Sequence, residues 1–552
     1  MKIQVSELIV GFMERLGIRH IFGMPGAHIL PVYDSLYDSS IHSILAKHEQ
    51  GAAFMACGYA RASGGISACI TTAGPGATNL ITGIANAYTD RQPILVITGE
   101  TSTHIFGKGG LQESSGEGGA IDQDALFKGI TRYNKIVERT DYLPQVLNQA
   151  ARILQSSNSG PVLLSFPYNV QKEMMDAGML DSIKTAARPR TTQDKQAGVS
   201  TLVEYLQASS RPVIVAGYGC IKSGAQALVA ELSESMNIPV ATSLKGKGIV
   251  SEQNPLSLGS LGVTSSGQAC QYIVDEADLV LFLGAGFNER TSYLWDHKLL
   301  DRKKVIQVDN DPGQLEKVFD ADLAIKGDIR QVLGQCLQRL EDVGAAAKDW
   351  YSPAGQGELN ALNGKNPTHA SFRLVEHFFT ALEKRYPEGI QVFDDNIIFA
   401  QNFFRVSRGN SYYPNSGISS LGHAVPAAIG ARFYTEKPSF AVLGDGGFQM
   451  CCMEIMTAVN YRKPLNIVLF NNSTMGLIRK NQFQQYNQRF IDCDFVNPDY
   501  QHLAKSFGIN YFRIETEQDI QAAFENNDLE QEINLIEIVI DKNAFPSYVS
   551  GR

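Results

Sequence analysis

The sequence predicts an α/β protein of three doubly wound domains, each built on a parallel sheet. Two observations lead there. Short runs that are apolar at nearly every position alternate with helical stretches along most of the chain. Strands that are apolar on both faces and separated by helices are covered on both sides, as the strands of parallel sheets are. Two polar, irregular segments, 171–196 and 344–369, break the rhythm and read as linkers. They divide the 552 residues into expected domains at 1–175, 190–343 and 368–552, within the usual domain size.

The elements follow in order. "MKIQVSELIVGFMERLGI" has helical periodicity with acids inside it, unlike an export signal. The first domain has strands at "ISACITT", "PILVIT" and "PVLLSF", the second at "RPVIVAG", "DLVLFLGAG" and "KVIQVD", and the third at "SFAVLGD" and "LNIVLFNN". The formal net charge of -9 leaves no basic footprint, so no nucleic-acid partner is expected. No stretch is long and apolar enough to span a bilayer, so a cytoplasmic protein without a membrane partner is expected. The eight cysteines form no C-x-x-C pair and no zinc cluster, and read as free thiols, most of them buried.

The first and third domains repeat one pattern. Each has an arginine (Arg61, Arg432), a strand, a glycine turn (Gly74 to Gly76, Gly444 to Gly446), a helix, a proline (Pro93, Pro464) and another strand. The intervals are 13 against 12 residues, then 19 against 20. Matching at both steps points to a duplicated domain.

The third domain carries the more telling turn. A glycine turn between a parallel strand and a helix makes an anion site, because backbone N–H groups and the helix dipole face the ligand. Asp445 in that turn would repel a phosphate unless a cation lay between them. Magnesium fits, since it takes few protein ligands plus phosphate oxygens. Asn471 and Asn472 end the next strand, at the sheet edge where ligands bind in open parallel sheets. Asp445 and one asparagine can therefore clamp a diphosphate through one ion. Gly-Asp-Gly, 24 residues and Asn-Asn form a far more specific pattern than the turn alone.

That pattern is the diphosphate motif of thiamine diphosphate enzymes. With "FGMPGAHILPVYD", "AKHEQGAAFMACGYARASG" and "TTAGPGATNLITGIANAYTD", the chain resembles the acetolactate synthase branch of that family nearly end to end. The resemblance implies a pyrimidine-binding domain, a central domain and a diphosphate-binding domain, in that order. It implies that Glu49 contacts N1′ of the cofactor's aminopyrimidine and that Mg2+ is held by Asp445, Asn472 and the carbonyl of Thr474. Gly446 and Gly447 would donate N–H groups to the diphosphate, and Leu421 would prop the bent cofactor. Pro25, Gly26, Gly74, Gly76, Asn79, Gly444, Met475 and Gly476 would line it. Gln112 would lie near the reacting carbon, and His28 and His423 are candidates for moving a proton there. Such enzymes build one site from two subunits, which implies a homodimer or a homotetramer. The central glycine turns and Asp309 resemble an adenine-dinucleotide fold, where these synthases carry FAD.

The expected activity is that of a carboligase. It takes a 2-oxo acid donor, pyruvate first among candidates, removes CO2 and joins the remainder to a second carbonyl acceptor. A simple 2-oxo acid decarboxylase releasing aldehyde, and a C–C hydrolase or lyase, are the alternatives. The acceptor pocket departs from the synthase pattern. Leu111 replaces a phenylalanine, Gly286 an arginine and Asn481 a tryptophan, "DNIIFAQ" replaces the diphosphate-side motif, and "GEGGAIDQD" (116–124) looks inserted. A nicotinamide oxidoreductase is disfavoured, because no G-x-G-x-x-G opens a helix with the usual acid. A non-catalytic subunit is disfavoured by the presence of both Glu49 and Asp445.

Overall fold

The computed structural model describes residues 1–184, 195–345, 347, 370–525 and 528–545. The linker expected at 344–369 falls largely outside them, as does the second half of that expected at 171–196. Strand β1 (Lys2–Gln4) precedes the first large sheet, which contains β2 (His20–Gly23), β3 (His42–Leu45), β4 (Ser67–Thr71), β5 (Ile94–Glu100), β6 (Tyr133–Ile136) and β7 (Val162–Pro167). Its order is β3-β2-β4-β5-β7-β6, all parallel. β8 (Met174–Asp176) pairs antiparallel with β1, and Ile183 joins the first domain's core. The start of the first expected linker is therefore structured. Its polar composition reflects a short exposed edge pair rather than a free connection.

The central sheet contains β9 (Pro212–Ala216), β10 (Val240–Ser243), β11 (Ser257–Leu261), β12 (Leu279–Leu283), β13 (Lys304–Asp309) and β14 (Leu323–Lys326). Its order is β11-β10-β9-β12-β13-β14, the dinucleotide-fold order whose direction reverses between β9 and β12. The third sheet contains β15 (Gln391–Asp394), β16 (Ser411–Pro414), β17 (Ser439–Gly444), β18 (Leu465–Asn471), β19 (Asn510–Ile514) and β20 (Ile533–Val539). Its order, β16-β15-β17-β18-β20-β19, matches the first sheet strand for strand. The repeat seen in the sequence is thus a repeat of topology.

The twin domains meet through two helices rich in alanine and glycine, Glu49–Ser63 and Ala424–Arg432. A Cβ on Gly58 would lie 1.8 Å from the carbonyl oxygen of Ala427, and one on Gly430 would lie 1.9 Å from that of Met55. Only glycine allows that approach. One apolar core runs continuously through both domains. All three domains converge on Asp90, whose side chain is 1% exposed. Its carboxylate pairs with Arg61 of the first domain and with Lys245 of the central domain at 2.5 Å. Arg61 also donates to the carbonyl of Pro414 in the third domain. Burial would raise the Asp90 carboxyl, but Lys245 and Arg61 hold it below the usual carboxylate range.

Candidate active site

Residues at the carboxyl ends of the third sheet form one polar cluster. Asp445 opens the helix Asp445–Cys451 directly after β17 and is 1% exposed. Its Oδ2 accepts from the N–H groups of Asn472 (3.1 Å) and Ser473 (2.6 Å) and from Asn497 Nδ2 (2.9 Å). Its Oδ1 accepts from the N–H of Gly446 (3.0 Å). Burial pushes the carboxyl above its ordinary value, against the pull of these hydrogen bonds. The Asn472 Oδ1 accepts from the N–H of Thr474 at 3.3 Å, and the Thr474 hydroxyl donates to the carbonyl of Cys493.

The glycines here lie close against their neighbours. A Cβ on Gly446 would meet Met475 Sδ at 2.6 Å, one on Gly447 would meet Asp395 Oδ2 at 2.5 Å, and one on Gly476 would meet Asn472 Nδ2 at 3.0 Å. Gly444 caps the helix from an extended conformation. Leu421, half-buried, precedes Gly422 and His423, whose N–H groups donate to Asp395. This donor set fits a magnesium ion. Asp445 is a buried carboxylate that accepts only from neutral groups among the described residues, beside an amide oxygen. Among the described residues no three histidine, cysteine or acidic side chains gather to bind a metal unaided. A hard ion completed by phosphate oxygens suits such a place.

A second cluster lies at the corresponding edge of the first sheet. Glu49 begins its helix after the cap residue His48 and accepts from Asn79 Nδ2 at 3.0 Å. Glu454, contributed by the third domain, accepts from the N–H groups of Lys47 (2.7 Å) and His48 (2.8 Å) and so fixes the entry to that helix. His28 Nδ1 lies 3.3 Å from Gln112 Oε1, and Thr72 donates to the same oxygen at 3.4 Å. Gly26 and Gly76 abut Thr72 and Thr71, where a Cβ would lie within 2.5 Å, and Gly74 adopts φ +59 against Gln112. Pro25 is exposed beside them. Glu113 accepts from the N–H groups of Gly107 and Gly110, closing the loop that presents Gln112. The 116–124 segment is anchored by Gln123, fully buried, which donates to Thr98 and Ser165.

No hydrogen bond joins the Glu49 cluster to the Asp445 cluster among the described residues. His423 belongs to neither. Its ring is fully enclosed and edge-on to Phe54, with centroids 5.1 Å apart, and neither ring nitrogen has a hydrogen-bond partner among the described residues. The sequence expectation of a proton-moving His423 is corrected on that ground: its backbone faces the site edge while its side chain points into the interdomain core.

A cavity of about 640 Å³ opens at the carboxyl ends of β9 and β12, lined by residues of all three domains, including Asp90, Lys245, Arg290, Asp309 and Ser416. Gly219 packs 2.7 Å (as Cβ) from the Cα of Gly284, so both glycine turns are obligatory. Gly286 lies against Gln314 in the same wall.

Comparison with known proteins identifies the domains that carry these clusters. Residues 3–120 match the thiamine pyrophosphate enzyme N-terminal TPP binding domain, 199–336 the central domain and 395–538 the C-terminal TPP binding domain. The chain is 31% identical to a probable acetolactate synthase large subunit of Methanococcus aeolicus, over 99% of this chain and 93% of the relative.

The chain belongs to the thiamine pyrophosphate enzymes.

Within them it is acetolactate synthase-like. It is 32% identical to the probable acetolactate synthase large subunit of Methanocaldococcus jannaschii, over 99% of this chain and 93% of that protein. It is 30% identical to the acetolactate synthase isozyme 2 large subunit of Escherichia coli K12, over 99% and 97%. Thiamine pyrophosphate, the same compound as thiamine diphosphate, is thus the cofactor of this thiamine pyrophosphate enzyme. Among the described residues no helix is long and apolar enough to cross a membrane. The sequence motifs gave no sign of Asn497, Glu454 or Glu537. Asn497 reaches Asp445 from a loop 52 residues on, where Thr474 bridges Asp494, and no local pattern marks it.

Proposed function

We propose that this thiamine pyrophosphate enzyme is a carboligase acting on pyruvate as donor and on a carbonyl acceptor other than a second pyruvate. The observation that carries the reading is the pair of clusters at matching edges of twin sheets: Asp445 and Asn472 on one, Glu49 and Asn79 on the other. The first would hold Mg2+, with the Thr474 carbonyl, and the diphosphate would lie on the N–H groups of Gly446 and Gly447. The second would take the pyrimidine, with Glu49 holding a proton at N1′. When bound, the cofactor supplies the electron sink that lets a 2-oxo acid lose CO2. The chain's own part is to orient it, through Leu421, Met475 and the glycine walls, and to present His28 and Gln112 towards the substrate. As the family resemblance implies, a second copy in a homodimer or homotetramer would bring the two kinds of cluster together. FAD would occupy the central cavity, with Asp309 at a ribose hydroxyl.

The acceptor part rests on three replacements and on the anchored 116–124 segment. Leu111 is 73% exposed, and Asn481 carries a buried amide oxygen without a partner among the described residues where the synthase pattern has a tryptophan. Smaller side chains at all three positions suit a larger ketone. Mass spectrometry of products from pyruvate with a panel of ketones tests this. Coupled product with such a ketone is expected. Acetolactate from pyruvate alone at a comparable rate would refute the altered acceptor, and free aldehyde without coupled product would refute the carboligase. The absorbance spectrum of the purified protein tests for FAD.

A further inference from the structure

Asp445 is not equally available on its two oxygens. Oδ2 receives three hydrogen bonds, from the Asn472 N–H, the Ser473 N–H and Asn497 Nδ2, whereas Oδ1 receives one, from the Gly446 N–H. A carboxylate oxygen offers two lone pairs, so Oδ2 is filled and Oδ1 is the oxygen left for a cation. The donor that completes this asymmetry is Asn497, and its orientation is dictated from behind. Its Oδ1 accepts from Gln449 Nε2 at 2.8 Å. Its Nδ2 lies 2.8 Å from Asn471 Oδ1 as well as facing Asp445, and a turned amide would set oxygen against two acceptors. Asn471 is oriented in turn by Glu537, because its Nδ2 donates to Glu537 Oε1 at 2.5 Å. Glu537 is 1% exposed, and its other oxygen accepts from the Tyr511 hydroxyl. Both Glu537 oxygens accept, one from the Asn471 amide and one from Tyr511, so the direction of every link is set from the Glu537 end.

We propose that Glu537, Asn471 and Asn497 form a positioning chain that leaves Asp445 a one-oxygen ligand and so favours a small octahedral cation over calcium. The inference rests on the proposed reading of Asp445 and Asn472 as a cation site beside the diphosphate. Its chemistry is that of cation size. Magnesium keeps strict octahedral geometry at about 2.0–2.1 Å, while calcium readily takes both oxygens of one carboxylate at about 2.3–2.6 Å. Filling Oδ2 with donors denies calcium that second oxygen. The first asparagine of the pair thereby gains a role distinct from that of Asn472.

The test is Mn2+ titration of the full chain with thiamine pyrophosphate, read by electron paramagnetic resonance, with Mg2+ and Ca2+ as competitors. Asn497→Ala should weaken Mn2+ binding about 10- to 100-fold, the range seen when partners behind a metal ligand are removed. It should also narrow the Mg2+ over Ca2+ preference. Glu537→Gln keeps the volume and should move both readouts in the same direction by less, with an unchanged far-UV circular dichroism spectrum. A wild-type chain that binds no Mn2+ with the cofactor would overturn the cation-site reading itself. Wild-type binding matched by both variants in affinity and ion ratio would overturn the positioning chain alone. So would an affinity loss that leaves the ratio unchanged.

Discussion

Replacing His423 by phenylalanine separates a structural ring from a catalytic one. The imidazole is fully enclosed against Phe54, with neither nitrogen hydrogen-bonded among the described residues. Burial first, then the neighbouring Arg61, pushes its pKa down to about 3 from the ordinary 6.5, with Asp90 pulling the other way. In the unfolded chain the ring takes up a proton below about pH 6.5, while in the folded chain it stays neutral until about 3. Its contribution is therefore fully present above 6.5 and is lost as pH falls from 6.5 towards 3. Between pH 7.5 and 5.5 the loss from this one residue is about 1.4 kcal/mol. His423→Phe keeps the edge contact, removes the titration and relieves buried unpaired nitrogens, which cost about 1–3 kcal/mol. At pH 7.5 the variant should be at least as stable as the wild type, and the pH-linked difference should shrink by about 1.4 kcal/mol. The assay is urea unfolding followed by far-UV circular dichroism at both pH values, with CO2 release measured in parallel. A folded variant that releases no CO2 would refute the buried placement, and an unchanged pH difference would refute the titration argument.

Other outcomes follow from the same geometry. Glu49→Gln should cut CO2 release by about 100-fold or more while calorimetry still detects cofactor binding. Asp445→Asn should weaken Mn2+ and cofactor binding by at least about tenfold in the same calorimeter, since it removes the carboxylate proposed to bind the cation. Asp90→Asn strips the partner from Arg61 and Lys245 and should destabilise the chain by about 3–5 kcal/mol in urea, because a cation is left buried. Gly58→Ala should lower the thermal midpoint, as its Cβ would lie 1.8 Å from a backbone oxygen; overpacking of this kind costs about 1–3 kcal/mol.

The strands legible in the sequence were those near the middle of their sheets. β4, β5, β7, β12, β17 and β18 are almost wholly buried and read as continuous apolar runs. β3, β14 and β19 were not read, because edge strands mix exposed and buried positions over only four or five residues. The duplication was legible because turns recur at fixed chain intervals. The candidate site was legible where its residues are local to a turn, as Asp445, Asn472 and Glu49 are. It was not where a partner arrives through tertiary contact, as Asn497, Glu537 and Glu454 do. His423 shows the converse. Proximity to a motif along the chain fixes where a backbone lies but not which way its side chain turns, and Asp395 holds that backbone with the ring inward.

The junction at Asp90 bears on how such a chain can change over time. One acid serves a guanidinium from the first domain and an ammonium from the central one, while the guanidinium also grips the third. A chimera that imported a foreign central domain without a lysine at 245 would leave that buried acid half neutralised. Exchange of modules among related chains should therefore succeed only where Arg61, Asp90 and Lys245 travel together.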